Sequence, residues 1–270
     1  MIGAIIGDIV GSRFEFNNHR STEFELFHPD CSFTDDTICT VAVADWLLQD
    51  VKRLDCEQLT KITRRWCRKY PNPVGGYGGN FGHWIWEETI GGYDSFGNGS
   101  AMRVSPVAWA FDKVIDIVDY AKLSAEISHD HPEGVKGARS ISHAISMLRR
   151  GNNVEFTCMY VFKTFDYKFP GSCEFMRDTN KFDETCQVTV PQAFQCLLES
   201  TDFESAIRLA VSIGGDSDTI AAITGSLAEA AYGIPEEIER KALSYLPEEM
   251  IKVINEFKNT FNYGNELRTI

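Results

Sequence analysis

Nowhere does this sequence carry the run of about 18 apolar residues that a membrane-crossing helix requires. Nor does it open on one, because Asp8, Arg13 and Glu15 interrupt the start MIGAIIGDIVGSRFEF where a signal peptide would be continuously apolar. No membrane association is expected, and a cytoplasmic protein is. Positive charge is also scarce: 26 Lys and Arg stand against 39 Asp and Glu, a formal net charge of −13. General nucleic-acid binding, which depends on cations neutralising phosphates, is not expected from such a chain. The eight cysteines form no C-x-x-C pair and no framework spacing, so they read as reduced, structural thiols. Strand signals are few, and neither an internal repeat nor a low-complexity tract is present.

What the chain does have is length for one large core and helical patterning from end to end. At 270 residues a second domain is permitted, but a single domain over 1–270, and a monomer, are expected. Residues 37–49 are apolar almost all round, which in a helix means burial on most faces. Residues 116–128, 134–149, 191–200, 204–213, 219–232, 235–246 and 248–261 also read as helices. Pro191, Pro235 and Pro247 stand at or near first turns, and Gly151 and Gly233 act as stops. An all-α architecture follows. The small residues among Ile220, Ile223 and Leu227 allow close helix approach, so the helix over 219–232 is expected to be central. Two stretches resist this reading: 71–100, with nine glycines and two prolines among aromatics, and the polar 166–190, which ends in an extended-looking VTV. Both are expected to be long loops, which in compact domains tend to be functional.

Chemistry concentrates in two short acidic motifs, each at the mouth of an apolar helix. Thr34-Asp35-Asp36-Thr37 suits an N-cap, since Thr and Asp cap well and first-turn acids favour the helix dipole. Capping needs one side chain, however, and two adjacent carboxylates repel unless something positive lies beside them. Gly214-Gly215-Asp216-Ser217-Asp218-Thr219 repeats the pattern, and its diglycine lets the backbone come close. Carboxylate and hydroxyl oxygens are the hard ligands that Mg²⁺ and Mn²⁺ prefer, and together Thr34–Asp36 and Asp216–Thr219 offer four Asp and two Thr, enough for two metals. Glu15, between Phe14 and Phe16, is an ordinary solvated residue if taken alone and a ligand or general base beside those motifs.

Taken in order, GAIIGDIVGSRFEF, TDDT, GYGGNFGHW, GNGSAMRVSPVAWA, SHDHPEG and AVSIGGDSDTIAAITGSLAEAAYG resemble the ADP-ribosylglycohydrolase family over residues 1–233. The resemblance implies a compact, single-domain orthogonal helix bundle with two divalent cations, Mg²⁺ or Mn²⁺, at the base of an ADP-ribose cleft. It places Thr34, Asp35, Asp36, Asp216, Asp218 and Thr219 on the metal ligands, and Glu15, Asp35 and Asp218 among the catalytic carboxylates. Asn98, Gly99, Ser100 and Met102 fall on the segment lining the ribose and diphosphate, and His129 on a histidine beside the ribose. Some members that reactivate nitrogenase reductase carry an aspartate where Asn98 stands, and an amide there cannot exchange a proton in the same way.

The residues themselves support part of this. Gly97, Gly99 and Ser100 form a loop whose N–H groups suit an anion, although an ordinary Gly-Asn-Gly turn would look the same. Tyr77 and Phe81 are candidates for stacking a base, although aromatics in glycine-rich loops also pack such loops onto the core. His129 and His131 make a poor zinc site, because no Cys or H-E-x-x-H pattern accompanies them. The expected activity is hydrolysis of the glycosidic bond at the distal ribose of an ADP-ribosylated protein or small molecule. Two alternatives stand beside it: a non-catalytic ADP-ribose-binding protein, and a metal-dependent phosphohydrolase suggested by Asp-Ser-Asp.

Overall fold

A computed structural model describes residues 1–49, 55–89 and 91–261. Its helices are α1 (Ile2–Gly11), α2 (Asp35–Leu47), α3 (Cys56–Lys69), α4 (Gly79–Trp84), α5 (Gly99–Met102), α6 (Ser105–Ala110), α7 (Val114–Glu126) and α8 (Pro132–Arg149). The second half adds α9 (Val154–Thr164), α10 (Cys173–Thr179), α11 (Cys186–Glu199), α12 (Phe203–Ser212), α13 (Ser217–Tyr232), α14 (Glu236–Leu243) and α15 (Glu248–Thr260). A short 3₁₀ turn, Ser12–Phe14, follows α1. Among the described residues the nearest thing to a sheet is one isolated bridge between Gly97 and Thr185. The all-α expectation therefore holds.

The axis of the fold is α13, buried on every face from Ser217 to Ala230. Its main partner is α1, and the two backbones touch. A Cβ on Gly3 would meet the Gly225 carbonyl oxygen at 2.1 Å, one on Gly7 the Ala221 oxygen at 2.0 Å, and one on Gly11 the Asp218 Cα at 2.5 Å. The four-residue spacing of Gly3, Gly7 and Gly11 lays them along one face of α1, and the small residues of α13 lie opposite. Around this pair α2 is buried almost all round, as its unbroken apolar sequence requires.

Several expectations need correction. The stretch 166–190 is not one long loop: α10 lies inside it, and Val188-Thr189-Val190 belongs to α11 rather than to an extended segment. Pro191 sits inside α11, not at its first turn. The carbonyl it deprives of a donor is that of Gln187, which is exposed and open to water, so the usual cost of an interior proline is reduced. The glycine-rich stretch 71–100 also holds a turn of helix, α4, while Ile90 within it lies outside the described residues. The helices α1, α3, α6 and α9 were not anticipated. In α1 the glycines masked the period; in α3 an Asp55 side-chain cap and a strongly amphipathic face were legible and were missed.

Among the described residues no helix is long and apolar enough to cross a membrane. All eight cysteines are free thiols, seven of them buried, in keeping with a structural role.

Candidate metal centre and cavity

The site is assembled by α1. Asp8 is fully buried in it, and its carboxylate accepts from the Thr34 N–H at 2.9 Å, the Thr34 hydroxyl at 2.7 Å, the Thr37 N–H at 3.0 Å and the Thr37 hydroxyl. These bonds dock the first turn of α2 onto α1. Thr34 then caps α2 through its hydroxyl oxygen, which accepts from the Asp36 N–H at 3.3 Å. The cap reading of this motif is correct, and it leaves Asp35 and Asp36 free. Because Gly11 brings α1 against Asp218, the first turn of α13 arrives at the same place, and the Thr219 hydroxyl donates to Asp36 Oδ2 at 3.1 Å.

Glu15 is positioned by a latch. Asn18 donates to the Glu15 carbonyl at 3.0 Å and the Gly215 carbonyl at 2.9 Å, and accepts from the Gly215 N–H at 2.8 Å. Gly214 and Gly215 both have positive φ, +63° and +84°, which is why this turn is written with two glycines. Arg20 braces the outer side by donating to the carbonyls of Ile213, Arg177 and Asn180. Asp8, Asn18 and Arg20 were absent from the expected site. A lone Asp inside an apolar helix was the signal available for Asp8; nothing in the sequence marked the other two.

Two groups of three acids have oxygens within 4.8 Å of one another: Asp8, Asp36 and Asp218, and Glu15, Asp216 and Asp218. Among the described residues none of them is paired with Lys or Arg, and Asp36 Oδ1 is buried without any partner. A buried carboxylate oxygen with no donor costs free energy unless a cation satisfies it, so this donor set fits hard divalent ions. Asp35 is half-buried and lines the adjacent cavity together with Asp36, Asp216 and Asp218. Thr34 lies behind that wall, and its hydroxyl proton is spent on Asp8.

The other expected residues collect on the same cavity. Glu15, Tyr77, Phe81, Asn98, Gly99, Met102, His129 and Thr219 all line it. Ser100 does not; it is fully buried, and its hydroxyl donates to the Gly134 carbonyl at 2.7 Å. The loop-packing reading given to Tyr77 and Phe81 is visible in the structure, and both residues also line the cavity. The Tyr77 hydroxyl donates back to the Tyr70 carbonyl at 2.8 Å, tying down the loop, while both rings face the cavity. The Asn98 amide donates to Asp216 Oδ2 at 2.6 Å and to the Thr189 hydroxyl at 3.1 Å. An aspartate in its place would set a like charge against Asp216, so the amide here supports Asp216 rather than moving protons.

Crowding shows in the titration of the cluster. Burial is the largest cause throughout. It pushes Asp8 and Asp216 up to about 6, against the hydrogen bonds of Thr34 and Thr37 in one case and of Asn98 in the other. Glu15 rises to about 7 through burial and then the charges of Asp216, Asp8 and Glu184, and Asp35, Asp36 and Asp218 lie well above the ordinary carboxylate range. Unfolded carboxylates release their protons near pH 4. Between that value and about 7 the folded state therefore holds protons the unfolded chain has lost, so these groups destabilise the fold as pH rises through the window. Chelator-treated protein is expected to lose several degrees of melting temperature between pH 5 and 7.5, and the Glu15→Gln variant less. Thermal scans at both pH values check this, and equal slopes for the two proteins would contradict the assignment.

The segment leading into Asp216 is α12, not the apolar strand that a haloacid-dehalogenase type of phosphohydrolase needs before such an Asp-Ser-Asp, which argues against that form of the alternative.

The profile of the ADP-ribosylglycohydrolase family matches residues 1–265. The chain belongs to the ADP-ribosylglycohydrolase family. Within it, the chain is 24% identical to human ADP-ribosylhydrolase ARH3 over 325 residues, covering 91% of this chain and 88% of that protein. It is 23% identical to the Xenopus tropicalis protein of the same name, with 86% of each covered. ADP-ribosylarginine hydrolase Tri1 of Pseudomonas putida is 25% identical over 280 residues, 90% of this chain and 73% of that one. The fold agrees with a solved structure described as an ADP-ribosylglycohydrolase-related protein complex, at a TM-score of 0.67 and 24% identity, with 96% of this chain and 97% of that chain covered.

Proposed function

We propose that this protein is a metal-dependent hydrolase that cleaves the glycosidic bond at the distal ribose of ADP-ribosylated substrates. The observation that carries the reading is the convergence of Asp36, Asp216, Asp218 and Glu15 on one cavity, with Asp8 buried behind Asp36 and Asp218, and with Asp36 Oδ1 lacking any partner among the described residues. The family and the names of its relatives supply the substrate class; the carboxylates supply the reason for metal dependence.

Two divalent cations, Mg²⁺ or Mn²⁺, fit the two acidic groups, with Asp218 common to both and Asp35 and Thr219 beside them. Bound there, they would supply Lewis-acid polarisation of a hydroxyl or water oxygen. The chain's own residues do the rest. Asn98 and Thr219 hold Asp216 and Asp36 in place by hydrogen bonds. Glu15 is half-buried on the cavity wall with a pKa raised to about 7, so it can take up a proton at neutral pH. That suits a general base for water attacking a sugar carbon of oxocarbenium character. Gly99, Met102, Tyr77 and Phe81 form the walls that take the nucleotide. ADP-ribose is the expected ligand, free or attached to a protein or small molecule.

The test is a panel of ADP-ribosylated arginine, serine and small-molecule substrates, each assayed with Mg²⁺, Mn²⁺ or chelator. Release of ADP-ribose with metal and none with chelator is the expected result. Glu15→Gln should fold normally and turn over roughly 10²–10⁴-fold more slowly. Wild-type turnover in that variant would remove Glu15 from the mechanism, and ADP-ribose binding without turnover of any substrate would replace this reading with the binding-protein alternative.

A further inference from the structure

Arg103 is a fully buried cation on the cavity wall with no ionised partner. Among the described residues no carboxylate lies within ion-pair distance of it, and the groups whose charge would raise its affinity for a proton are Cys39, Tyr93, Cys67 and Cys186. At pH 7 the hydrogen bond with Cys67 and then burial hold Cys39 in its neutral form, and burial does the same for Tyr93 and Cys186. Its Nε and Nη1 have no hydrogen-bond partner at all. The one satisfied nitrogen, Nη2, donates to the Ser124 carbonyl at 2.9 Å and to the Ser128 hydroxyl oxygen at 2.9 Å. Ser128 Oγ in turn lies 2.8 Å from His129 Nδ1.

Counting protons along this chain fixes the imidazole. Arg103 only donates, so the serine oxygen receives from it and keeps its own proton for another acceptor. Among the described residues that acceptor is His129 Nδ1. If Nδ1 carried a proton instead, the Ser128 hydroxyl hydrogen would be buried without a partner, which folded structures rarely tolerate. The proton of neutral His129 therefore sits on Nε2, which has no hydrogen-bond partner among the described residues and lies where a Cβ on Gly99 would come within 2.9 Å. Burial and the Arg103 charge both hold the ring in its neutral form.

We propose that Arg103 and Ser128 lock His129 as the Nε2–H tautomer, making it a fixed hydrogen-bond donor to an anionic oxygen-bearing ligand, with the buried Arg103 charge selecting for that anion. The proposal rests on the reading that the cavity takes ADP-ribose, and it adds two positioning residues and a protonation state. Gly99 acquires a reason as well: a Cβ there would lie 2.9 Å from His129 Nε2 and 3.0 Å from Cε1, so a side chain at this position would crowd the ring.

The test combines two measurements on the full chain. Nitrogen-15 NMR of the histidine rings should show His129 protonated on Nε2 and bare on Nδ1 in the wild type, and a mixture of tautomers in Ser128→Ala. Calorimetric titration with ADP-ribose should show Ser128→Ala binding about tenfold more weakly, the worth of one hydrogen bond, with Ser128→Thr restoring both affinity and tautomer. In turnover, the loss should fall on KM rather than kcat. Mn²⁺ titration should be unchanged in Ser128→Ala, which separates the relay from damage to the acidic floor. A wild-type His129 protonated on Nδ1, or a Ser128→Ala variant that binds ADP-ribose like the wild type, overturns the proposal. Wild-type protein that shows the Nε2–H tautomer but binds no ADP-ribose instead sinks the proposed function and leaves the lock standing.

Discussion

Asp218→Ala is expected to abolish turnover, by at least about 10³-fold, since it removes the one carboxylate common to both acidic groups. Loss of Asp8 or Glu15 would strip one group; loss of Asp218 strips both. The same variant should bind fewer than two Mn²⁺ by calorimetric titration. Its metal-free form should melt no lower than the wild type, because burial and the charges of Asp216 and Asp36 already hold Asp218 in an unfavourable place. The metal-induced rise in melting temperature should then shrink, since that rise follows RT ln(1 + [L]/Kd) at each site. Unchanged Mn²⁺ stoichiometry together with wild-type turnover would show that Asp218 is no ligand. A collapse of metal-free stability would show instead that it is an ordinary cap.

The second large effect concerns folding. Gly7→Ala adds one methyl group, and that methyl would lie 2.0 Å from the Ala221 oxygen, 2.2 Å from its carbonyl carbon and 2.6 Å from the Ala222 nitrogen. All three are backbone atoms of a buried helix, so the clash is relieved only by separating α1 from α13. A loss of about 3 kcal/mol or more is expected, at the upper end of what overpacking costs. For a chain of this length that is a fall of about 6–12 °C in melting temperature. Activity of the surviving folded fraction should drop too, because Asp8 and the first turn of α13 meet through the same contact. Gly82→Ala is the control: its nearest neighbour is Tyr77 Cβ at 3.8 Å, an ordinary contact, and a change within about 0.5 kcal/mol is expected. Equal stability of Gly7→Ala and Gly82→Ala would refute the backbone-contact account of the α1–α13 pair.

Much of the site was legible before folding, for reasons particular residues make plain. Thr34-Asp35-Asp36 and Asp216-Ser217-Asp218 carry more like charge than any helix start needs, and that surplus is visible without coordinates. Residues 37–47 announce a buried helix because no polar face exists to meet water. Asp8, by contrast, was seen and not used. An acid in an apolar helix signals a buried polar role, but which distant groups it meets depends on the rotation of α1 against α13. Ser128 and Arg103 are invisible as a pair in the sequence, since serine and arginine are common and their meaning lies in a 2.9 Å contact between residues just beyond the ends of α7 and α5. The aromatics of the glycine-rich loop stay ambiguous in the sequence because one residue can both pack a loop and line a cavity, as Tyr77 does.

By itself the sequence determined the helical class, the two acidic helix mouths, the central helix over 219–232 and the family to which these motifs belong. All of these rest on spacing and residue type within a few turns of chain, where local propensity and charge decide. Tertiary structure alone decided that Asp8 docks α2, that Asn18 ties Glu15 to the diglycine turn, that Ser100 faces away from the cavity, and that the 188–190 segment is helix rather than strand. Each of those depends on contacts between residues far apart in the chain, whose partners are chosen by packing. A β-branched triplet such as Val188-Thr189-Val190 carries only a weak preference of its own, and burial of Thr189 and Val190 on the inner face of α11 outweighs it.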